Sequence, residues 1–244
     1  MFDAKIKSEV LKEAVDAINI LVDEAKINVT KDELHIRAVD PAHVAMVNFK
    51  LNKKAFEDYK AKECELGVDL DKIKEILKLV KSGDVIHLKQ DEDKNRLVIR
   101  FGNLTRRMSL VDTAGMSDPK MPNLEFSTKA TISTGELRRA VKASENVSDH
   151  ITLMVSPEAF EVASKGETDS VDLRLPKDLI EELDCKDSTS SMFPLNYFSS
   201  MINAVNTPKV ILHMAENYPV KMEFEIAEGA GWGEYLLAPR IENE

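Results

Sequence analysis

The chain has 244 residues, long for one domain and comfortable for two of about 120. At 43% apolar and 31% charged residues it is neither a disordered nor a collagen-like chain. Its net charge of −10 speaks against a surface that attracts phosphate everywhere and describes, by default, a protein with an acidic face. Binding depends, however, on where the cations sit rather than on their sum.

In chain order, the start MFDAKIKSEV lacks the apolar core of a signal peptide, and no apolar run approaches the roughly 20 residues of a membrane span. A first helix is predicted from the stripe Val10, Leu11, Ala14, Val15, Ile18, with Ser8 as its N-cap. Ile27–Val29 and Leu34–Val39 follow as a hairpin around Lys31-Asp32. The second helix, capped by Asp69, carries Leu70, Ile73, Ile76, Leu77 and Val80. Val85–Leu88 and Leu97–Phe101 pair around the polar turn 91–95. The stretch 114–123, with one Gly and two Pro, reads as a linker between halves of similar design, although Met121-Pro122 is an apolar pair where polar residues are expected. Ser133-Thr134-Gly135-Glu136 reads as a capping box opening the third helix, with Leu137, Ala140, Val141 and Ser144 on its stripe. A hairpin spans Ile151–Ala163. The fourth helix carries Leu195, Phe198, Met201, Ile202 and Val205, and the last hairpin spans Val210–Ile226. Glu228–Gly233 is a Gly-rich loop that opens no helix. The helical stripes recur about 60 residues apart, too far for helical-repeat arrays but suited to a unit of one helix plus antiparallel strands. The fold class is therefore α+β.

Positive charge concentrates on two of the four helices. Lys74, Lys78 and Lys81 share one face of the second helix, with Lys72 beside them. Arg138, Arg139 and Lys142 cluster on the third. Four lysines against three carboxylates over 69–81, and three cations against two carboxylates over 135–147, leave each helix at +1 in a chain of −10. If the two shared one concave face, phosphate would find it, through backbone contacts without base reading.

Reaction chemistry is not legible. HExxH, GxxxxGK[ST] and GxSxG are absent. The five histidines and the distant Cys64 and Cys185 show no metal-ligand spacing, and two lone cysteines fit a reducing compartment. Asp91-Glu92-Asp93 lacks the glycine and distal Glu of a calcium loop. No catalytic residue, metal ligand or cofactor site is expected.

Six ordered motifs then become informative together: MFDAKIK at the start, RAVDPAHV over 37–44, GVDL over 67–70, SDH over 148–150, YPVK over 218–221 and LAPRIE over 237–242. The chain resembles, along its whole length, the sliding-clamp family of archaeal proliferating-cell nuclear antigen. The resemblance implies a DNA-clamp (processivity) fold, with two similar domains of two helices and antiparallel sheets each. The domains would be 1–112 and 125–244, joined by a connecting loop 113–124. Three chains would join head to tail into a closed homotrimeric ring with helices lining the hole. Subunits would meet through strands near 104–111 and 171–175, where Arg106 and Arg107 could pair with Asp169 or Asp172. The DNA-facing set would be Lys12, Lys74, Lys78, Arg139 and Lys142, with Lys72, Lys81 and Arg138 as neighbours. The fourth helix departs from the eukaryotic pattern, with Asn203 near a position that is basic there.

The same resemblance implies an outer pocket for the short hydrophobic motifs of replication and repair enzymes. Its walls would be Val39, His43 and Val44, then Met121 and Pro122 from the linker, then Pro219. Leu236, Ala238, Pro239 and Ile241 would complete it from the tail, with Glu242-Asn243-Glu244 meeting basic residues that flank the partner motif. Expected partners are duplex DNA without sequence preference, DNA polymerase, clamp loader, flap endonuclease and DNA ligase. The expected location is the archaeal cytoplasm, at the nucleoid. The alternative is one subunit of a heterotrimeric or checkpoint-type clamp. An acidic α+β enzyme with an unrecognised site is the remaining rival.

Overall fold

A computed structural model describes residues 1–241. The first half runs β1 (Phe2–Lys7), α1 (Ser8–Asn19), β2 (Glu24–Val29), β3 (Glu33–Val39), β4 (Ala45–Asn52), β5 (Phe56–Ala61), β6 (Cys64–Asp69), α2 (Leu70–Leu77), β7 (Val85–Asp91), β8 (Arg96–Phe101) and β9 (Leu104–Ser109). The second runs β10 (Thr128–Ser133), α3 (Thr134–Ser144), β11 (His150–Ser156), β12 (Ala159–Lys165), β13 (Ser170–Pro176), β14 (Glu182–Cys185), β15 (Thr189–Pro194), α4 (Leu195–Ala204), β16 (Lys209–Met214), β17 (Val220–Ile226) and β18 (Gly231–Leu237). The order of helices and strands is the same in both halves, as the spacing of the stripes implies. Pairing repeats as well. Strand β1 lies antiparallel between β5 and β7, as β10 lies between β14 and β16. Strand β2 lies between β3 and β6, as β11 lies between β12 and β15.

The residues form two compact units. The first comprises Met1–Pro41, Val47–Met121 and Glu225–Gly233; the second holds Ala42–Met46, Pro122–Phe224 and the residues from Glu234 onward. In the first unit the sheet β5-β1-β7-β8-β9 and the run β4-β3-β2-β6 enclose a core closed by α1 and α2. Period-2 burial of Phe2, Ala4 and Ile6 on β1 meets period-3.6 burial of Ala14, Val15 and Ile18 on α1. A cavity of about 60 Å³ remains between them, lined by apolar side chains that include Phe2, Val15, Phe49 and Leu66. In the second unit the run β14-β10-β16-β17-β18 and the sheet β13-β12-β11-β15 are closed by α3 and α4. Phe160, Phe193 and Phe198 are fully buried there, each contributing about 1.5–3 kcal/mol of transfer free energy. Strands β9 and β13 end their sheets, so each presents an unpaired edge within its own unit.

Several local expectations are corrected. The N-cap of α1 is Lys7, and Ser8 is the first helical residue. The Ser8 hydroxyl donates to Glu9 and to the Lys81 carbonyl, and the Ser8 N–H goes to the Asp84 carbonyl at 2.9 Å, so a neighbouring turn does the capping. The capping box at Ser133 does not close. The Thr134 N–H is taken by the Pro208 carbonyl at 2.9 Å, and Glu136 turns to Arg139. Helix α2 stops at Leu77, leaving Val80 and Lys81 in a tight turn. The Gly-rich stretch is not all loop. Ala227, Glu228 and Gly229 make a turn at positive φ, and Gly231 already opens β18.

Candidate functional site

The cations on the helices differ in how they are held. The Asp69 carboxylate accepts the Lys72 N–H at 2.9 Å, capping α2 as expected, and pairs with the Lys72 ammonium at 2.6 Å. Those bonds hold Asp69 below its ordinary range and raise Lys72. Lys74 reaches Asp16 at 3.6 Å and Asn19 at 3.2 Å. Arg138 donates to the Val205 carbonyl at the C-terminal end of α4, supplying the cation that helix lacks in its own last turn. Arg139 pairs with Glu136 at 2.9 Å and Lys142 with Glu145 at 2.7 Å, which raises Lys142. Lys12, Lys78 and Lys81 are exposed and form no ion pair among the described residues.

Because α2 ends at Leu77, the sequence-derived face of Lys74, Lys78 and Lys81 is not one helical face: Lys78 is the C-cap and Lys81 lies beyond it. The turn that carries Lys81 is fixed to α1 instead. Glu9 accepts from the Ser82 hydroxyl and the Gly83 N–H, each at 2.5 Å. The Ser82 bond first, then the backbone amides, hold the Glu9 carboxyl at about 2. Gly83 supplies the positive φ of 86° that this turn requires.

Arg106 and Arg107 are exposed on the edge strand β9, while Asp172 lies on the edge strand β13 and Asp169 just before it, both also exposed. Strand β9 spans 104–109 rather than 104–111, since Val111 makes only an isolated bridge to Gly67. Strand β13 runs one residue further at each end than expected. Leu104, 40% exposed, and Leu179, 70% exposed just after β13, add apolar surface to the two edges.

The residues expected to receive a partner fall in both units. In the second unit, Val44 and Ala238 meet directly, with the Ala238 N–H donating to the Val44 carbonyl at 2.9 Å. The tail continues along β15, where the Arg240 N–H donates to the Met192 carbonyl at 2.7 Å and its guanidinium to His150 Nε2. The turn before Pro219 is tied to the same strand through Asn217 N–H to Ser190 carbonyl and Tyr218 N–H to Ser191 hydroxyl, each at 3.0 Å. These bonds tie Ala238 to Val44, and tie the tail at Arg240 and the turn before Pro219 to Met192, Ser190 and Ser191 of β15. His43 is exposed at φ 58°, Pro122 is exposed, and Leu236, expected as a wall, is only 7% exposed. Ile241 is 69% exposed. In the first unit, Val39 and Met121 are half-buried, and Arg37 pairs with Asp118 at 2.9 Å. The expectation for Glu242-Asn243-Glu244 lies outside the described residues.

The sequence motifs contain Arg37, His150 and Arg240 without giving them a role, and no local pattern singles out Glu9 or Asp118. Their roles depend on partners 81 residues away in sequence for Arg37 and 90 for His150, which no local pattern encodes. Among the described residues no helix is long and apolar enough to cross a membrane, and no group of His, Cys, Asp and Glu is placed to hold a metal ion.

Residues 1–117 match the family model described as proliferating cell nuclear antigen, N-terminal domain, and 120–240 match the model of its C-terminal domain. A protein of Methanocella arvoryzae named DNA polymerase sliding clamp is 42% identical over 246 residues, covering all of both chains. One of the same name from Methanosarcina mazei is 39% identical with the same coverage. A solved structure described as the C-terminal region of FEN-1 bound to A. fulgidus PCNA superposes with a TM-score of 0.94 at 34% identity, again covering both chains fully.

Proposed function

The chain belongs to the proliferating cell nuclear antigen family, and from that premise we propose that it is a DNA polymerase sliding clamp, working as a closed ring of three chains around duplex DNA. The observation that carries the ring is the pair of unpaired edges. Strand β9 offers Arg106 and Arg107, and β13 with its approach offers Asp172 and Asp169. Unlike edges that meet head to tail close into a ring when the rotation permits. Lys12, Lys72, Lys74, Lys78, Lys81, Arg138, Arg139 and Lys142 would face the duplex, through phosphate contacts that are weak and sensitive to salt. The domains would divide at a connecting loop over 113–124, a reading supported by the family models ending at 117 and beginning at 120.

The solved relative with a bound FEN-1 segment supports docking of such a segment here; the residues that would receive it are Val39 and Met121 in the first unit and His43, Val44, Pro122, Pro219, Leu236, Ala238, Pro239 and Ile241 in the second. A tied-down tail that carries an exposed Ile241 is suited to receive the apolar anchors of a short helical motif. The clamp catalyses nothing in this reading. It holds DNA polymerase, clamp loader, flap endonuclease or ligase at high effective concentration, because a closed ring cannot fall off DNA. The archaeal relatives support a cytoplasmic, nucleoid-associated setting.

Light scattering over a wide concentration range tests the ring. A constant mass of three chains is expected, with Arg107→Glu lowering it; a monomer at every concentration would transfer the assignment to one subunit of a heterotrimeric clamp.

A further inference from the structure

We propose that Arg37 is a positioning residue for partner docking: its ion pair with Asp118 holds the segment after β9 beside β3 and thereby fixes Met121. This rests on the docking reading above. Every residue the latch uses lies in the first unit.

The segment leaves β9 under a backbone anchor. The Val111 N–H donates to the Gly67 carbonyl at 2.8 Å. A Cβ on Gly67 would lie 2.2 Å from the Val111 oxygen, so only glycine permits that approach. Beyond it the chain has no strand or helix until Thr128; Thr113–Met116 makes only a local turn. A stretch of that kind has many conformations of similar energy unless something outside it is bonded to it. Asp118 provides that bond, from Oδ1 to Arg37 Nη2 at 2.9 Å.

Arg37 is two residues before Val39 on β3, so their side chains share one face of the strand. Asp118 is three residues before Met121, so the tether limits Met121 to within roughly 10 Å of its Cα. One ion pair thus joins the strand that carries one docking wall to the segment that carries another. The pair is also sheltered: Arg37 is 26% and Asp118 33% exposed, and Arg37 Nε is buried without a hydrogen-bond partner. Removing Asp118 would leave a partly buried guanidinium without its compensating charge, so the pair functions as a unit.

A labelled synthetic peptide with the sequence of the FEN-1 C-terminal region, titrated by fluorescence anisotropy, tests this. Arg37→Ala and Asp118→Ala are each expected to weaken binding about two- to five-fold while molar mass stays at its wild-type value. The double variant should bind no worse than the weaker single, and Arg37→Lys should recover part of the loss, which a general loosening of the fold would not produce. Wild-type affinity in both single variants, or losses that simply add, would overturn the latch. Met121→Ala with Ile241→Ala is the control arm. If it weakens the peptide and the Arg37 and Asp118 variants do not, the latch alone fails; if it leaves affinity unchanged, the docking reading fails.

Discussion

The two halves of the chain repeat the same strands and helices in the same order and with the same pairings, yet they dispose of their cations differently. In the first half Lys72 and Lys74 are paired with Asp69 and Asp16, but Lys12, Lys78 and Lys81 stand exposed without an ion pair among the described residues. In the second, Arg138 caps α4, Arg139 is held by Glu136, and Lys142 by Glu145. From the sequence both cation-bearing helices carry the same +1. The difference teaches that a repeated fold does not repeat its surface chemistry, because the backbone pattern needs only the apolar periodicity while side-chain pairing is free to vary. A cation with a carboxylate partner must lose that partner, or share it, before it can neutralise phosphate.

The most demanding break of this comparison is a pair of triple variants. Lys12→Ala, Lys78→Ala and Lys81→Ala together should lower the dependence of log K on log salt by on the order of 2.7, the value for three phosphates no longer neutralised. Arg138→Ala, Arg139→Ala and Lys142→Ala together should lower it by clearly less. Binding of a short duplex measured from low to moderate salt reads both slopes, and equal slopes would erase the asymmetry.

That asymmetry marks the limit of what the sequence shows. Fold class, the repeat and the four helices are legible because apolar periods of 2 and 3.6 are local. The edges of β9 and β13 and the tail around β15 follow from the motifs through resemblance alone. The length of α2 is not legible. Val80 continues its apolar stripe, but Leu79 and Val80 turn back on Ile76 and Leu77, and the turn beyond is secured by Glu9, more than seventy residues earlier. Ser133 and Ser8 look like caps, but the Ser133 side chain makes no cap bond, Glu136 turns to Arg139 in its own helix, and Lys7 takes the N-cap position before Ser8. Arg37 looks like an ordinary polar position on a strand until the chain brings Asp118 to it.

The halves also share a device with different strength. In each, a carboxylate lies against a histidine and a lysine: Asp3 is 2.6 Å from His87 and 3.2 Å from Lys89, and Glu223 is 3.2 Å from His213 and 2.7 Å from Lys221. Burial opposes ionisation of Asp3, yet His87 and Lys89 leave it below its ordinary value. His213 foremost, with Lys221, pulls Glu223 from 4.5 to about 2. A carboxyl depressed in the folded state stabilises the fold above its unfolded value and loses that contribution as pH falls from about 4.5 towards 2. Glu223→Gln should therefore cost about 1–2 kcal/mol at neutral pH, discounted for solvent screening, and flatten the acid-side loss of stability in that window. Denaturant titrations at pH 7 and pH 3 check this. An unchanged pH dependence would place the acid sensitivity elsewhere.

The smallest effect separates the helix starts. Asp69 and Ser133 each precede a helix that follows a strand directly, Asp69 at the second helix of the first half and Ser133 at the first helix of the second. Sequence rules favour both as caps, and Ser133 has the more complete motif with Glu136 three residues on. Only Asp69 makes the bond, to the Lys72 N–H at 2.9 Å, and its second oxygen holds Lys72 as well. At Ser133 the helix-opening N–H of Thr134 already has the Pro208 carbonyl, and Glu136 has Arg139. Asp69→Ala should therefore cost about 1 kcal/mol, and Ser133→Ala only a few tenths. Equilibrium unfolding of the two variants beside wild type measures the difference directly. A Ser133→Ala loss as large as that of Asp69→Ala would mean that the capping box closes in solution and that the two helix starts are equivalent.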